Sequence, residues 1–248
     1  MAPTAISVIL LAGLIIFSGH LVKGVSGFGS ALFSVPLLMF ILDVKFVTPV
    51  FLVFDLTSGA ILVASNWRSI HRRLLFLLLC GLLVGTAIGT WVLLSFSHEV
   101  LKRVLGVLVV AWALTMLIRR QRPAAPAIHA RRMPYLAPFS GFLGGALGAM
   151  FSVNGPPIII YLAHVLEDKQ AFRATLYGIF FADACYKLVL FTVNRLVTGE
   201  VLRFALLMAP FLVVGTLTGS WLQKYIDQAL FTKIVAFILL VTGIILLI

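Results

Sequence analysis

Apolar residues fill most of this chain in long runs that short polar stretches separate. The runs are 5–22, 28–42, 46–66, 74–95, 103–118, 136–151, 156–166, 174–194, 201–222 and 230–248. A helix needs about 20 apolar residues to cross a bilayer, and most of these runs reach or approach that length. The pattern therefore predicts an all-α, polytopic membrane protein that works within the bilayer and interacts with membrane lipid.

The composition excludes the other classes. The chain has 248 residues, of which 62% are hydrophobic and 11% charged, whereas soluble domains are about 45–50% apolar and roughly 25% charged. Disorder and a disulfide scaffold are excluded with the soluble globule, because apolar content is high and there are two cysteines. The cysteines, Cys80 and Cys185, lie inside apolar runs, which favours a packing role.

The net charge of +11 would suggest nucleic acid as a partner in a soluble protein. Here the basic residues lie between apolar runs, as they do in cytoplasmic loops of membrane proteins, so no nucleic-acid partner is expected. The densest group lies in a Pro-containing segment that we interpret as a basic cytoplasmic linker, 119–134. Its members are Arg119, Arg120, Arg122, Arg131 and Arg132.

The two halves of the chain resemble each other. V-G-T-A-I-G-T-W at 84–91 matches V-G-T-L-T-G-S-W at 214–221, and shorter offsets align Pro36 with Pro157 and Asp55 with Asp183. We predict a first repeat over 1–118 and a second over 135–248, each with five segments. Because five is odd, the copies would have opposite orientations, as in the inverted repeats of many secondary transporters.

The loop charges predict an orientation. Basic residues at 67–73 and in the linker place those loops in the cytoplasm. Loops 167–173 and 223–229 then also lie inside, whereas loops 96–102 and 195–200 and both termini lie outside.

In each half the first two segments form a short pair that glycine or proline interrupts. Residues 156–166 would span only about 16 Å as a helix, too little to cross alone. Matching interruptions in two halves predict a midplane site built from broken or re-entrant helices, where helix N-termini attract anions. We expect Asn154 to cap the second of these helices, with Pro156 in its first turn. The predicted substrate-binding residues are Lys23, Gly24, Ser26, Gly27, Gly29, Ser30, Ser152, Asn154, Gly155 and Pro156. Close helix packing is the alternative explanation of these glycines.

The two interrupted pairs also carry a family resemblance. K-G-V-S-G-F-G-S-A-L-F-S-V-P-L-L and G-F-L-G-G-A-L-G-A-M-F-S-V-N-G-P-P-I-I-I-Y-L resemble the paired motifs of the sulfite exporter TauE/SafE family, over essentially the whole chain. This resemblance implies a bacterial inner-membrane transporter of small sulfur-containing anions such as sulfite, sulfoacetate or thiosulfate. The first motif has Ser30 and Ser34 where members often carry more glycine, so the halves are expected to contribute unequally.

Ionisable residues inside apolar runs are candidates for coupling or gating, because burying a charge in lipid is costly. Asp183 and Lys187 are four residues apart and alternatively only neutralise each other. Asp55 has Gly59 at that spacing and is therefore the better coupling candidate, with a proton as a possible coupling ion. The further candidates are His20, for which packing is an alternative, and Arg173, for which a solvated pair with Glu167 or Asp168 is an alternative.

We therefore predict a secondary transporter that works by alternating access. The GxxxxGK[ST] nucleotide-binding motif does not occur, and no cofactor is expected. An anion channel and a non-transporting membrane protein are alternatives. A third is an intramembrane serine protease, because residues 24–27 read G-V-S-G, but the duplication does not favour an enzyme.

Overall fold

The chain is all-helical. A computed structural model describes residues 6–26, 29–118 and 136–248, in which ten α-helices and no strands occur. The helices are α1 (Ile6–Ser26), α2 (Ser30–Leu38), α3 (Val44–Asn66), α4 (Arg72–Ser95), α5 (His98–Ile118), α6 (Leu136–Phe151), α7 (Gly155–Val165), α8 (Lys169–Val193), α9 (Gly199–Leu222) and α10 (Gln228–Leu247). A 3₁₀ turn, Trp67–Ser69, joins α3 to α4. The predicted fold class is confirmed, whereas the basic linker 119–134 lies outside the described residues.

Each predicted apolar run corresponds to one helix, but several helices begin earlier than their run. α8 begins at Lys169 because the Asp168 carboxylate accepts hydrogen bonds from the backbone N–H groups of Gln170 and Ala171. α9 begins at Gly199 because the Thr198 hydroxyl accepts from the N–H of Val201. Hydropathy alone missed these first turns because capped helix starts are polar.

Within residues 6–26, 29–118 and 136–248, six helices are long and apolar enough to cross a membrane: α1, α3, α4, α5, α8 and α9. α2 and α7 have 9 and 11 residues, so each rises only roughly 14 to 17 Å, about half of a hydrocarbon core. Many large apolar side chains are exposed, Leu206 and Val193 among them. Such a surface suits lipid as the surrounding solvent.

One compact unit contains α1, α2, the start of α3 as far as Val50, α5, α9 and α10. α1 packs along α9 at Gly24 and Gly219, where a Cβ on Gly24 would lie 2.8 Å from the Gly219 Cα. α5 packs on α10 in the same manner, since a Cβ on Gly106 would lie 3.0 Å from the Gly243 carbonyl oxygen. Small residues therefore set the helix contacts of this unit.

The other compact unit contains α3 from Phe51 onward, α4, α6, α7 and α8. α4 lies against α6, with Gly81, Gly85 and Gly89 facing the backbone of α6. An apolar core adjoins this contact and includes Leu78, Leu82, Ile158, Leu162 and Ile179.

Each compact unit combines helices from both halves of the sequence. α4 belongs to the unit that holds α6–α8, and α9 to the unit that holds α1 and α2. The contacts α1–α9 and α4–α6 correspond to each other, because the sequence alignment pairs α1 with α6 and α4 with α9. The repeats over 1–118 and 135–248, and their inverted relation, stay predictions.

Candidate functional site

The first interruption lies between α1 and α2. α1 ends at Ser26 and α2 begins at Ser30, while Gly27, a predicted binding residue, lies outside the described residues. Gly29 is the N-cap residue of α2 and has φ 91°, a left-handed conformation that glycine adopts without steric cost. Ser30 is buried at the start of α2.

Lys23 and Gly24 lie in the last helical turn of α1, not at a helix N-terminus. Lys23 is half-buried there, and a cation is favourable at the C-terminal end of a helix dipole. A Cβ on Gly24 would lie 2.6 Å from the Thr216 carbonyl oxygen of α9. Gly24 therefore takes part in the close packing of α1 on α9, and a binding role for it stays a prediction.

The second interruption lies between α6 and α7. Ser152 has φ 57°, which is uncommon for a residue with a side chain, and its backbone N–H donates to the Gly148 carbonyl oxygen at 2.9 Å. Gly155 and Pro156 form the first turn of α7, as expected. Asn154 is the N-cap residue, as predicted, but its side chain makes no capping hydrogen bond.

The Asn154 side chain instead joins a buried polar network around Asp183. Its Nδ2 donates to Asp183 Oδ2 at 3.1 Å, and the Thr86 hydroxyl donates to Asp183 Oδ1 at 2.7 Å. Lys187 Nζ forms an ion pair with Asp183 Oδ2 at 3.0 Å and donates to the Gly148 carbonyl oxygen at 3.4 Å. We call these five residues the Asp183 network.

The Asp183 network is closed to the surroundings. The side chains of Asp183 and Lys187 are 0% and 1% exposed, so water does not stabilise either charge. Isolated buried charges are very costly, but here one positive and one negative group are paired and hydrogen-bonded. Asp183 and Lys187 therefore form the ion pair that their four-residue spacing suggested as an alternative to a coupling role.

Because Gly148 has no side chain, Asn154 and Asp183 can occupy the space beside it. A Cβ at Gly148 would lie 2.8 Å from the Asn154 Cβ and 3.1 Å from Asp183 Oδ2. A larger residue would push Asn154 and Asp183 apart, so glycine at this position allows the contact between α6, the interruption and α8.

Asp55 lies elsewhere on α3, where it is partly buried and has interactions of its own. Gly59, at the position that corresponds to Lys187, packs on Phe181. The first half of the chain thus has no lysine one turn after Asp55.

The remaining predicted gating residues have different surroundings. His20 is 1% exposed, and its Nδ1 lies 2.9 Å from the Ile16 carbonyl oxygen of its own helix. Arg173 is exposed and lines a groove of about 460 Å³ with Asn66, Lys169 and Tyr177. Asp168, one of its expected partners, caps α8.

Sequence reasoning did not select Thr86, although it lies in the repeated V-G-T motif. The repetition was a usable signal for it. The contact of the Gly148 carbonyl oxygen with Lys187 has no signal in the sequence. Among residues 6–26, 29–118 and 136–248, no group of three or more His, Cys, Asp or Glu side chains is arranged to hold a metal ion.

Membrane-length helices in the described part of the chain define the class, a multi-pass membrane protein, and a buried ion pair inside such a protein is a candidate functional feature. The family model "Sulfite exporter TauE/SafE" matches residues 10–246, and the chain belongs to this family. No match was found among curated proteins or among solved structures.

Proposed function

We propose that this protein is a secondary transporter that moves a small, sulfur-containing anion across the bacterial inner membrane by alternating access. Its family is a transporter family whose name refers to sulfite. The proposed binding residues are those of the two interruptions, with Lys23, Gly29 and Ser30 at the first and Ser152, Asn154, Gly155 and Pro156 at the second.

The observation that carries this proposal is the Asp183 network at the second interruption. A hydroxyl, an amide and an ammonium group, from Thr86, Asn154 and Lys187, surround two carboxylate oxygens in a buried place. Sulfite and sulfonate groups also present negatively charged oxygens, and donors of this kind hold them by charge-assisted hydrogen bonds. Interrupted helices, such as those on either side of this network, are typical of substrate sites in transporters.

The test is flux into proteoliposomes that contain the purified protein. We expect saturable uptake of at least one anion among sulfite, thiosulfate, sulfate, sulfoacetate and taurine. Lys23→Ala and Asn154→Ala should each lower that uptake, because each removes a donor. Lys224→Ala and Asn194→Ala are matched controls, since both residues are exposed.

Two results would contradict the proposal. Absence of uptake for the whole panel would exclude the substrate class, and flux that does not saturate with anion concentration would favour a channel. Unchanged uptake in Lys23→Ala would remove Lys23 alone from the site.

A further inference from the structure

The donors around Asp183 form a complete receptor for an anion, and an anionic side chain already occupies it. They come from three parts of one compact unit: Thr86 from α4, Asn154 from the interruption before α7 and Lys187 from α8. Asp183 Oδ1 accepts a hydrogen bond from Thr86, and Oδ2 accepts from Asn154 and Lys187.

The Lys187 ammonium group carries three hydrogens. In the part of the chain that the structure describes, Asp183 Oδ2 and the Gly148 carbonyl oxygen are the acceptors within hydrogen-bond distance of it. An anion beside Lys187 could therefore accept the third ammonium hydrogen. The donors of Thr86 and Asn154 would become accessible to it only if they left Asp183.

Charge decides whether such an anion can bind. With Asp183 ionised, the network is neutral, and an added anion would lie beside a buried like charge, which is unfavourable. With a proton on Asp183, Lys187 becomes a buried cation without a counter-ion, and burying an unpaired charge is strongly unfavourable. Protonation of Asp183 and binding of an anion therefore favour each other.

We propose that the Asp183 carboxylate is an internal substitute for the transported anion, and that the two exchange at Lys187. This inference rests on the proposed function. A proton from the aqueous phase binds Asp183, and one substrate anion takes the hydrogen bonds of Lys187, Asn154 and Thr86. On the other side the anion leaves, the proton leaves Asp183 to the water, and the ion pair forms again. One proton thus moves with each anion in the same direction.

Lys187 is the charged partner of Asp183 in the part of the chain that the structure describes, and α6 carries no titratable side chain over Leu136–Phe151. The hydrogen-bond partners of Asp183 on other elements are Thr86 and Asn154, both uncharged. The other titratable side chains on the elements packed against α8 are Arg68 of the 3₁₀ turn, Arg72, Arg73 and Cys80 of α4, Tyr161 and His164 of α7, and Asp55 of α3, which contacts α8 where Gly59 packs on Phe181.

Each protein molecule would contain one such exchange site. Gly59 stands where the second repeat has Lys187, so Asp55 lacks a lysine at that spacing to hold an anion. The expected ratio is therefore a single proton per anion, not two.

The first experiment measures the wild-type protein in proteoliposomes that enclose a pH indicator. Thiosulfate, which does not titrate near neutral pH, is added outside, and its uptake and internal acidification are recorded together. We expect a single proton per thiosulfate and faster uptake when the outside is acidic. Thiosulfate uptake without acidification would overturn the exchange but leave the proposed function intact. If thiosulfate and the rest of the panel are not taken up, the proposed function fails and the exchange fails with it.

The second experiment uses Asp183→Asn, which keeps the shape of the side chain and mimics its protonated charge. We expect this variant to bind thiosulfate independently of pH and to move it without protons. Lys187→Gln should raise the apparent Kd for thiosulfate by about tenfold to a hundredfold, the effect of losing a hydrogen bond to a charged group. Lys187→Arg should restore part of the affinity.

The alternative is that the Asp183–Lys187 ion pair only stabilises the fold and takes no part in transport. The charge-neutral double variant Asp183→Asn/Lys187→Met would then keep proton-coupled uptake once folded, which would overturn the proposal. Loss of coupling in Asp55→Asn, with coupling retained in Asp183→Asn, would likewise overturn it and assign the proton to Asp55. Size-exclusion profiles of each variant separate misfolding from loss of function.

Discussion

Two threonines at matching positions of a repeated motif have different partners. Thr86 donates its hydroxyl hydrogen to Asp183, 97 residues away in sequence. Thr216, its counterpart, donates to the Leu212 carbonyl oxygen of its own helix at 2.9 Å. At the scale of single residues, the same local sequence therefore has two roles, and the role depends on the side chain that faces it.

This difference makes Thr86→Val and Thr216→Val a matched pair. Losing a buried donor to a charged group costs about 1.5–3 kcal/mol, so Thr86→Val should lower the free energy of unfolding by about that amount. Thr216→Val should stay within about 0.5 kcal/mol of the wild type, since only a bond within its own helix is lost. Denaturant unfolding in detergent measures both, and equal effects would mean that the Thr86 contact with Asp183 adds no stability.

At the scale of elements, glycines let helix backbones approach closely. Cβ atoms at Gly85 and Gly89 would collide with the backbone at Phe142 and Ala146 of α6. Backbone cannot move aside as a flexible side chain can, so the α4–α6 contact depends on glycine at these positions. The adjoining apolar core includes Leu78 of α4 and Ile158 of α7.

Gly85→Ala should therefore destabilise the protein by about 1–3 kcal/mol, the usual cost of overpacking. Gly199→Ala is the control, because a Cβ there meets nothing within 4 Å. Its effect should lie within about 0.5 kcal/mol. Thermal unfolding in detergent compares the two, and a wild-type melting temperature for Gly85→Ala would show that α4 and α6 are not in close contact.

At the scale of the whole molecule, hydrogen bonds connect loops that the charge pattern placed on one side. Within the unit that holds α4 and α8, the His71 N–H donates to the Thr175 hydroxyl, and the Gln170 amide donates to the Ser69 hydroxyl. Loops 67–73 and 167–173 therefore lie at the same end of that unit, as predicted for cytoplasmic loops. Within the other unit, Asp43 pairs with His98 at 3.6 Å, so the loop before α3 lies beside the loop before α5.

This arrangement predicts which positions reach each side of the membrane. In a variant lacking Cys80 and Cys185, we expect Glu99→Cys and Glu200→Cys to react with a membrane-impermeant maleimide added outside intact cells. Arg73→Cys and Lys169→Cys should react only after the membrane is opened, because basic loops stay in the cytoplasm. All four positions are exposed. Labelling of Arg73→Cys from outside would reverse the orientation, and opposite behaviour of Arg73→Cys and Lys169→Cys would contradict the fold of their unit.

The sequence by itself determined the features that depend on near neighbours. Apolar runs predicted each helix, since hydrogen bonding within lipid requires helices, and a four-residue spacing predicted the contact of Asp183 with Lys187. It did not predict that Asn154 serves Asp183 instead of capping α7, or that Thr86 completes the network, because these partners lie 29 and 97 residues from Asp183. Only the packing of α4, α6 and α8 brings those donors together, and a contact between distant segments depends on the whole folded backbone, not on the local pattern.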